Sequence, residues 1–233
     1  MHVFYSFDID GQTVRLDEDE TKHALKVLRL TWGDDVLVLD GIGNSFTCTL
    51  LEQVDKKAVL SINTQTSAIP NEPKIVLAIA PTKSSDRLEW LVEKATELGV
   101  DGFIPVICSR SEKRKLNTDR LKKIVISASK QSRNPWFPFV RDPIEIKNFL
   151  SVSNPGLIAH CMESTKVNMA HAPLSPHLEI ITLIGPEGDF TPEELELALS
   201  RGWNPVSLGA NRLRTETAGL FAATSIILRT RFS

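Results

Sequence analysis

A chain of 233 residues, 42% hydrophobic and 24% charged, has the composition of a globular protein with a substantial core, in one large domain or two modest ones. The formal net charge of −2 excludes a general polycation, so nucleic-acid binding would need a local cluster of basic residues. The cysteines Cys48, Cys108 and Cys161 are far apart and form no CxxC, which predicts neither a disulfide framework nor a metal site such as zinc. Without a signal peptide or a membrane-spanning apolar run, we expect a cytoplasmic protein.

The first 68 residues alternate between apolar and polar side chains over short distances. A turn at 40–44 joins two of the predicted strands, and one helix is predicted from about Asp19 to Leu28, with Asp17 or Asp19 as its N-cap. This pattern predicts a small β-barrel whose strands are 3–5, 13–16, 36–39, 46–50 and 58–62. Within the helix, the spacing of His23, Lys26 and Arg29 places them on one face, the pattern of a solvated basic surface.

The segment 67–73 contains Pro70 and Pro73 among polar residues and reads as a linker, so we predict domains at 1–68 and 73–233. Beyond the linker, strands alternate with helices, which predicts an α/β domain with a parallel sheet and helices on both faces. No GxGxxG follows any strand, so the common dinucleotide fingerprint is missing. The predicted strands are 75–80, 103–107, 157–160, 179–184 and 206–208, and the helices are 85–98, 118–133, 192–201 and 216–229.

Residues 110–133 are dense in positive charge, with nine Lys or Arg residues against Glu112 and Asp119. Runs of this kind are often solvated faces, but an excess this large in a near-neutral protein favours RNA binding. Trp136, Phe137 and Phe139 follow, and they suit either core packing or stacking on a base.

A glycine loop at 185–190 lies between a predicted buried strand and a helix start. Thr191 suits the N-cap and Pro192 the first helical position. The loop therefore lies at the carboxyl end of a strand, where open α/β sheets bind ligands. Glu187 would repel a phosphate, which favours a cationic or neutral polar ligand.

A second loop of similar design runs from Leu208 and Gly209 to a helix start, for which Thr215 is the predicted N-cap. Two glycine-bearing strand ends ahead of helices indicate one shared crevice. Alternatively, each is only a βα loop with suitable turn residues.

The order GPEGDF, then LGANRLRTETA, resembles the SPOUT methyltransferases, and within them the ribosomal RNA small subunit methyltransferase E family. HALKVLRL at 23–30 is similar to that family's PUA-like barrel, and Lys83, 94–100 and Gln131 to Pro135 resemble further family segments. One departure is His2, where the family usually has an arginine.

The resemblance implies an N-terminal PUA-like β-barrel and a C-terminal SPOUT domain with a deep trefoil knot at about 157–220. It implies a homodimer that methylates N3 of a uridine in 16S rRNA, within the small ribosomal subunit, with S-adenosyl-L-methionine as cofactor and no metal. The residues that would bind the cofactor are His160, Cys161, Ile184, Gly185, Pro186, Glu187, Gly188, Leu208, Gly209, Leu213, Arg214, Thr215 and Ala218. Those that would contact RNA are Lys26, Arg29, Lys83, Arg110, Arg114, Arg133 and Arg212.

For catalysis, Arg214 would stabilise the developing uracil anion, and Glu187 or Glu216 would accept the proton. Arg212 could instead hold a phosphate, and either arginine could be a structural ion-pair partner. Two other functions stay open: a SPOUT ribose 2′-O-methyltransferase and a non-catalytic RNA-binding assembly factor.

Overall fold

The computed structural model describes residues 1–174 and 178–232. By its contacts the chain divides into two compact units. The first unit consists of Met1–Pro70 and Ile126–Phe137, and the second of Asn71–Val125 and Pro138–Ser233. The sequence placed residues 126–137 with the second domain, whereas their contacts are with the first.

The predicted small barrel is present as a curled six-stranded sheet in the order β1-β4-β5-β6-β3-β2. Its inward side chains, among them Phe4, Val38 and Leu60, are fully buried in one cluster. Strand β2 was not predicted, because its three residues Asp-Ile-Asp carry little apolar signal. The strands are β1 Val3–Tyr5, β2 Asp8–Asp10, β3 Thr13–Arg15, β4 Asp35–Leu39, β5 Asn44–Val54 and β6 Lys57–Ser67.

The predicted helix of the first unit is shorter and less regular than expected. Helix α1 spans Glu18–Lys22, and Asp17 is its N-cap, accepting a hydrogen bond from the Glu20 amide at 2.8 Å. A π-helical turn, His23–Val27, continues it, and Arg29 then adopts a left-handed φ of 55°. The expectation that His23, Lys26 and Arg29 share an α-helical face was therefore wrong, because that spacing needs 3.6 residues per turn.

The segment 126–137 packs on the curled sheet through glycines. The Gly43 amide donates to the Pro135 carbonyl at 2.9 Å, and the Phe137 amide donates to the Gly41 carbonyl at 3.0 Å. At Gly43 an added Cβ would overlap the ring of Trp136, so only glycine allows this close approach. Trp136 and Phe137 therefore pack within the first unit, as one of the two sequence interpretations held, whereas Phe139 lies in the second unit and packs against its core.

A buried ion pair also holds this segment. The Lys130 ammonium lies 2.6 Å from the Glu20 carboxylate, and the two side chains are only 18% and 11% exposed. The same ammonium lies 5.7 Å from the ring centroids of Phe4 and Tyr5. Cation–π contacts thus supplement the ion pair.

The second unit contains the predicted parallel sheet, in the order β10-β8-β7-β13-β11-β14-β12 with β9 also on β8. Its strands are β7 Lys74–Ile79, β8 Gly102–Ile107, β9 Phe139–Val140, β10 Ile144–Glu145, β11 Leu157–Ala159, β12 Val167–Asn168, β13 Glu179–Ile184 and β14 Asn204–Ser207. Its helices are α2 Ser85–Leu98, α3 Thr118–Ser132 (which continues into the first unit), α4 Ile146–Val152, α5 Pro192–Ser200 and α6 Thr215–Arg231. The elements missed from sequence, β9, β10, β12 and α4, are all short.

Two helix starts of the second unit were predicted, with different outcomes. Thr191 caps α5 in a capping box with Glu194, and Pro192 occupies the first helical position, as predicted. At α6 the N-cap is Arg214, and Thr215 is already helical. The predicted Thr215 cap was wrong because its hydroxyl donates instead to the Gly185 carbonyl at 3.2 Å. The trefoil knot stays a prediction.

Candidate functional site

A pocket of about 710 Å³ lies where the loops after β11, β13 and β14 meet. Because these strands are parallel neighbours, their carboxyl ends reach the same edge of the sheet. The two glycine loops therefore share one crevice, as one of the two sequence interpretations held. The pocket is lined by Ala159, His160, Cys161, Lys166, Ile184, Gly185, Pro186, Glu187, Asp189, Val206, Ser207, Leu208, Gly209, Ala210, Asn211, Arg212, Leu213, Arg214, Thr215 and Ala218.

Asp189 ties the loop after β13 to the loop after β11. Its Oδ2 accepts a hydrogen bond from the Cys161 amide at 2.8 Å, and its Oδ1 accepts one from the Phe190 amide at 2.9 Å. Its backbone is left-handed, with φ of 61°, a conformation that aspartate adopts more readily than most residues. This one side chain therefore stabilises the turn after β13 and connects it to the loop after β11, and both loops line the pocket.

The glycine loop is also held by groups from three other parts of the chain. The Glu187 Oε1 accepts a hydrogen bond from the Lys83 amide at 3.0 Å, beyond β7. Beyond β8, the Arg110 guanidinium donates to the carbonyls of Gly188 at 2.9 Å and Phe190 at 3.1 Å. The Thr215 hydroxyl donates to the Gly185 carbonyl as well, so the protein's own contacts hold the loop, as preorganised binding requires.

His160 directly follows β11, lines the pocket and is only 7% exposed. Its Nδ1 is buried without a hydrogen-bond partner among the described residues, and its Nε2 lies 3.4 Å from the Ser164 hydroxyl. Burial lowers the pKa of His160 below 6.5, the charge of Lys166 lowers it further, and Asp189 acts in the opposite direction. The imidazole is therefore held neutral near physiological pH.

The structure brings the predicted cofactor-binding residues together in this pocket, with one exception. Gly188 does not line it; this exposed glycine faces the Arg110 side chain, whose Cβ would lie 3.3 Å from an added Cβ. Glu216, a candidate proton acceptor, is also outside the pocket lining. Its carboxylate is 10% exposed and lies 3.8 Å from the Arg87 guanidinium.

The residues predicted to contact RNA have different surroundings. In the first unit, Lys26, Arg29 and Arg133 are exposed. In the second unit, several are bound to other protein groups. Lys83 pairs with Glu112 at 2.8 Å, Arg114 contacts both Glu145 oxygens at 3.0 Å, Arg212 donates to the Glu187 carbonyl at 3.4 Å, and Arg110 holds the glycine loop.

Sequence reasoning missed Asp189 and Lys166, both of which line the pocket. Asp189 stands in the quoted GPEGDF motif, and an aspartate after glycine in a tight turn is a signal for a side chain that bonds backbone amides. Lys166 lies six residues beyond His160 in an irregular loop, where nothing in the sequence marks it. Residues 1–174 and 178–232 contain no group of three or more His, Cys, Asp or Glu side chains placed to hold a metal ion.

Comparison with known proteins defines the class first. A family model described as an RNA methyltransferase domain matches residues 70–227, and one described as an RNA methyltransferase PUA domain matches residues 16–62.

In the described part of the chain, no helix has the length and apolar character that a membrane crossing requires.

Individual relatives narrow the assignment. The proteins named ribosomal RNA small subunit methyltransferase E from Aquifex aeolicus (strain VF5) and Rickettsia conorii are 31% and 30% identical, over 227 and 224 residues. These matches cover 94% of this chain in both cases, and 95% and 91% of the relatives. This chain belongs to the ribosomal RNA small subunit methyltransferase E family.

Solved structures agree along the whole chain. A probable rRNA-methyltransferase from Porphyromonas gingivalis is 38% identical, with a TM-score of 0.91 over 100% of this chain and 99% of that one. A ribosomal RNA small subunit methyltransferase E from Neisseria gonorrhoeae, solved with S-adenosyl methionine bound, is 30% identical, with a TM-score of 0.87 over 98% of each chain.

Proposed function

We propose that this chain is an S-adenosylmethionine-dependent methyltransferase that methylates N3 of a specific uridine in 16S rRNA. The observation that carries the proposal is the pocket at the ends of β11, β13 and β14, in a chain that resembles a cofactor-bound relative over nearly its whole length. The pocket supports cofactor binding, and the family supports the rRNA substrate. The choice of uracil N3 rests on the resemblance of the two loop motifs.

The residues of the pocket fit S-adenosylmethionine in size and chemistry. A volume of about 710 Å³ lies within the range of pockets that bind ligands of this size. Leu208, Leu213 and Ala218 offer apolar surface to an adenine ring. Glu187 and Asp189 place carboxylates beside a ligand whose sulfonium and ammonium groups are positive.

When bound, the cofactor supplies a methyl group that its sulfonium has already activated. The protein must therefore hold the uracil in line and make N3 nucleophilic, which requires removal of the N3 proton. In this proposal, Glu187 accepts the proton. Its Oε1 is engaged by the Lys83 amide, whereas no described residue donates to its Oε2.

As the N3–H bond breaks, negative charge spreads over N3 and the two flanking carbonyl oxygens of the ring. Arg214 lines the pocket, is exposed and bonds to no described residue through its side chain, so its guanidinium is available for this charge. The uridine must be unpaired or flipped to enter a pocket of this kind. Exposed Lys26 and Arg29 suit contacts to phosphates, which position RNA without reading its sequence.

The resemblance also supports a homodimer whose second subunit completes the site, a cytoplasmic location, and action within the small ribosomal subunit. Each of these three parts can be tested independently of the proposed methyl transfer to N3. Light scattering on the purified protein would test the dimer, and comparing free 16S rRNA with assembled small subunits as substrates would test the context.

The function is tested by transfer of labelled methyl from S-adenosylmethionine to small ribosomal subunits that lack this modification. We expect Arg214→Ala to lower kcat by about 10²–10³-fold, as loss of an oxyanion donor does. Arg141→Ala, which removes another exposed guanidinium, is the matched control. No transfer by the wild-type protein to any form of the RNA would refute the proposal.

A further inference from the structure

Lys166 brings an ammonium group into the pocket from the loop that follows β11. It lines the pocket and is half-buried. Its Nζ donates to the carbonyl oxygens of His160 at 3.1 Å and Met162 at 2.8 Å. A lysine ammonium has three N–H donors, so one remains for another partner.

The charge of this ammonium has no close counter-ion in the described part of the chain. Among residues 1–174 and 178–232, no carboxylate oxygen lies within 4.0 Å of Nζ. The nearby Asp189 uses both its oxygens on the amides of Cys161 and Phe190. A half-buried charge without a counter-ion costs free energy, and an anionic group of a ligand would offset that cost.

The position of Lys166 indicates which anion it receives. Arg212 and Arg214 line the same pocket but are exposed, so they are the better placed of the three cations for groups of the RNA, a phosphate for Arg212 and the uracil anion for Arg214. Lys166 is on the first loop, whereas the apolar side chains suited to adenine, Leu208 and Leu213, are on the third. S-adenosylmethionine carries its one anionic group, the α-carboxylate, at the end remote from the adenine.

We propose that Lys166 is a cofactor-binding residue, which binds the α-carboxylate of S-adenosylmethionine through its third N–H. The inference rests on the proposed function, because it names the partner of one group of the proposed cofactor. It assigns a distinct task to two groups of pocket residues: apolar surface for the adenine and a half-buried cation for the amino-acid carboxylate.

The test compares two ligands that differ only in this carboxylate, S-adenosylmethionine and decarboxylated S-adenosylmethionine, by calorimetric titration. Lys166→Gln removes the charge but keeps a side-chain amide that can still donate to the loop carbonyls. Lys166→Arg restores a positive charge. Lys147→Gln, at an exposed lysine on α4 outside the pocket, is the matched control.

We expect the wild-type protein to prefer S-adenosylmethionine by about tenfold or more, the usual range for a hydrogen bond between charged groups. Lys166→Gln should lose most of this preference by weakening S-adenosylmethionine binding alone. Lys166→Arg should recover part of it, and the Lys147→Gln control should behave as the wild type.

Three results would overturn the inference. Equal weakening of both ligands by Lys166→Gln would mean that Lys166 only holds its loop. An unchanged preference would mean that it does not meet the carboxylate, whether or not RNA affinity falls. If the wild-type protein bound neither ligand, the proposed function itself would fail and the inference with it, which is distinguishable from the first two results.

Discussion

Asp189→Asn tests whether the pocket depends on the bond between its first two loops. The carboxylate accepts hydrogen bonds from the amides of Cys161 at 2.8 Å and Phe190 at 2.9 Å. Asparagine has the same size and tolerates the left-handed backbone at this position, φ of 61°. However, its NH₂ group replaces one acceptor oxygen, so one of the two backbone amides then faces a donor.

The expected magnitude follows from that single lost bond. A hydrogen bond to a charged acceptor contributes about 1.5–3 kcal/mol, and we take the lower end because Asp189 is half-buried. The loop after β11 then spends more time away from the conformation that binds. Because apparent affinity scales with the population of the competent state, the dissociation constant of S-adenosylmethionine should rise by up to about tenfold.

Calorimetric titration measures this constant, and hydrogen exchange of the Cys161 amide reports the bond itself. We expect faster exchange at Cys161 in the variant than in the wild type. Asp119→Asn is the matched control, because that side chain is 85% exposed and pairs with Lys122 on the surface of α3. Wild-type affinity together with unchanged Cys161 exchange in Asp189→Asn would refute the reasoning.

Three further predictions concern stability. Lys130→Met leaves the 11%-exposed carboxylate of Glu20 without its counter-ion and should lower the free energy of unfolding by about 3–5 kcal/mol in chemical denaturation. Gly43→Ala should lower the free energy of unfolding more than Gly33→Ala. The two glycines have similar left-handed φ values, 103° and 98°, but an added Cβ would meet a tryptophan ring at Gly43 and open space at Gly33. Burial, and then the charge of Lys166, lower the pKa of His160 in the folded protein below 6.5. As the pH falls, the unfolded protein therefore binds a proton at this histidine before the folded protein does. Stability should therefore decrease as the pH falls through 6.5, less steeply in His160→Gln, as followed by thermal melting.

Each of these predictions has a contrary outcome. If Lys130→Met unfolds at the wild-type denaturant concentration, the ion pair does not hold segment 126–137 in place. Equal losses in the two glycine variants would mean that backbone strain, rather than the close approach of the ring, decides the cost. A pH profile of His160→Gln parallel to the wild-type profile would assign the titration to other groups.

The elements that position the site could be predicted because their signals are local. The run before Ile184 is rich in apolar and β-branched residues, as in a strand buried on both faces, and β13 has the predicted bounds. The helix start at Thr191 and Pro192 depends only on neighbouring residues, and it too was confirmed. Two glycine loops after parallel strands then lead to one shared pocket.

Features that depend on distant contacts could not be predicted. Threonine is a favoured N-cap residue, but the Thr215 hydroxyl donates a hydrogen bond to the carbonyl of Gly185, which is distant in the sequence. Segment 126–137 continues a basic helix in the sequence, and nothing local indicates that glycines 41 and 43 leave room for its aromatic rings. Lys166 looks like a solvated charge until the fold places two carbonyls and the pocket beside it.

The measurement that tests the central claim most directly is nucleoside mass spectrometry. Small ribosomal subunits from a strain that lacks this gene would be incubated with the protein and isotopically labelled S-adenosylmethionine, then digested to nucleosides. The account predicts labelled N3-methyluridine, which establishes the donor, the base and the atom together. Label in a 2′-O-methyl nucleoside, or none at all while RNA still binds, would contradict it.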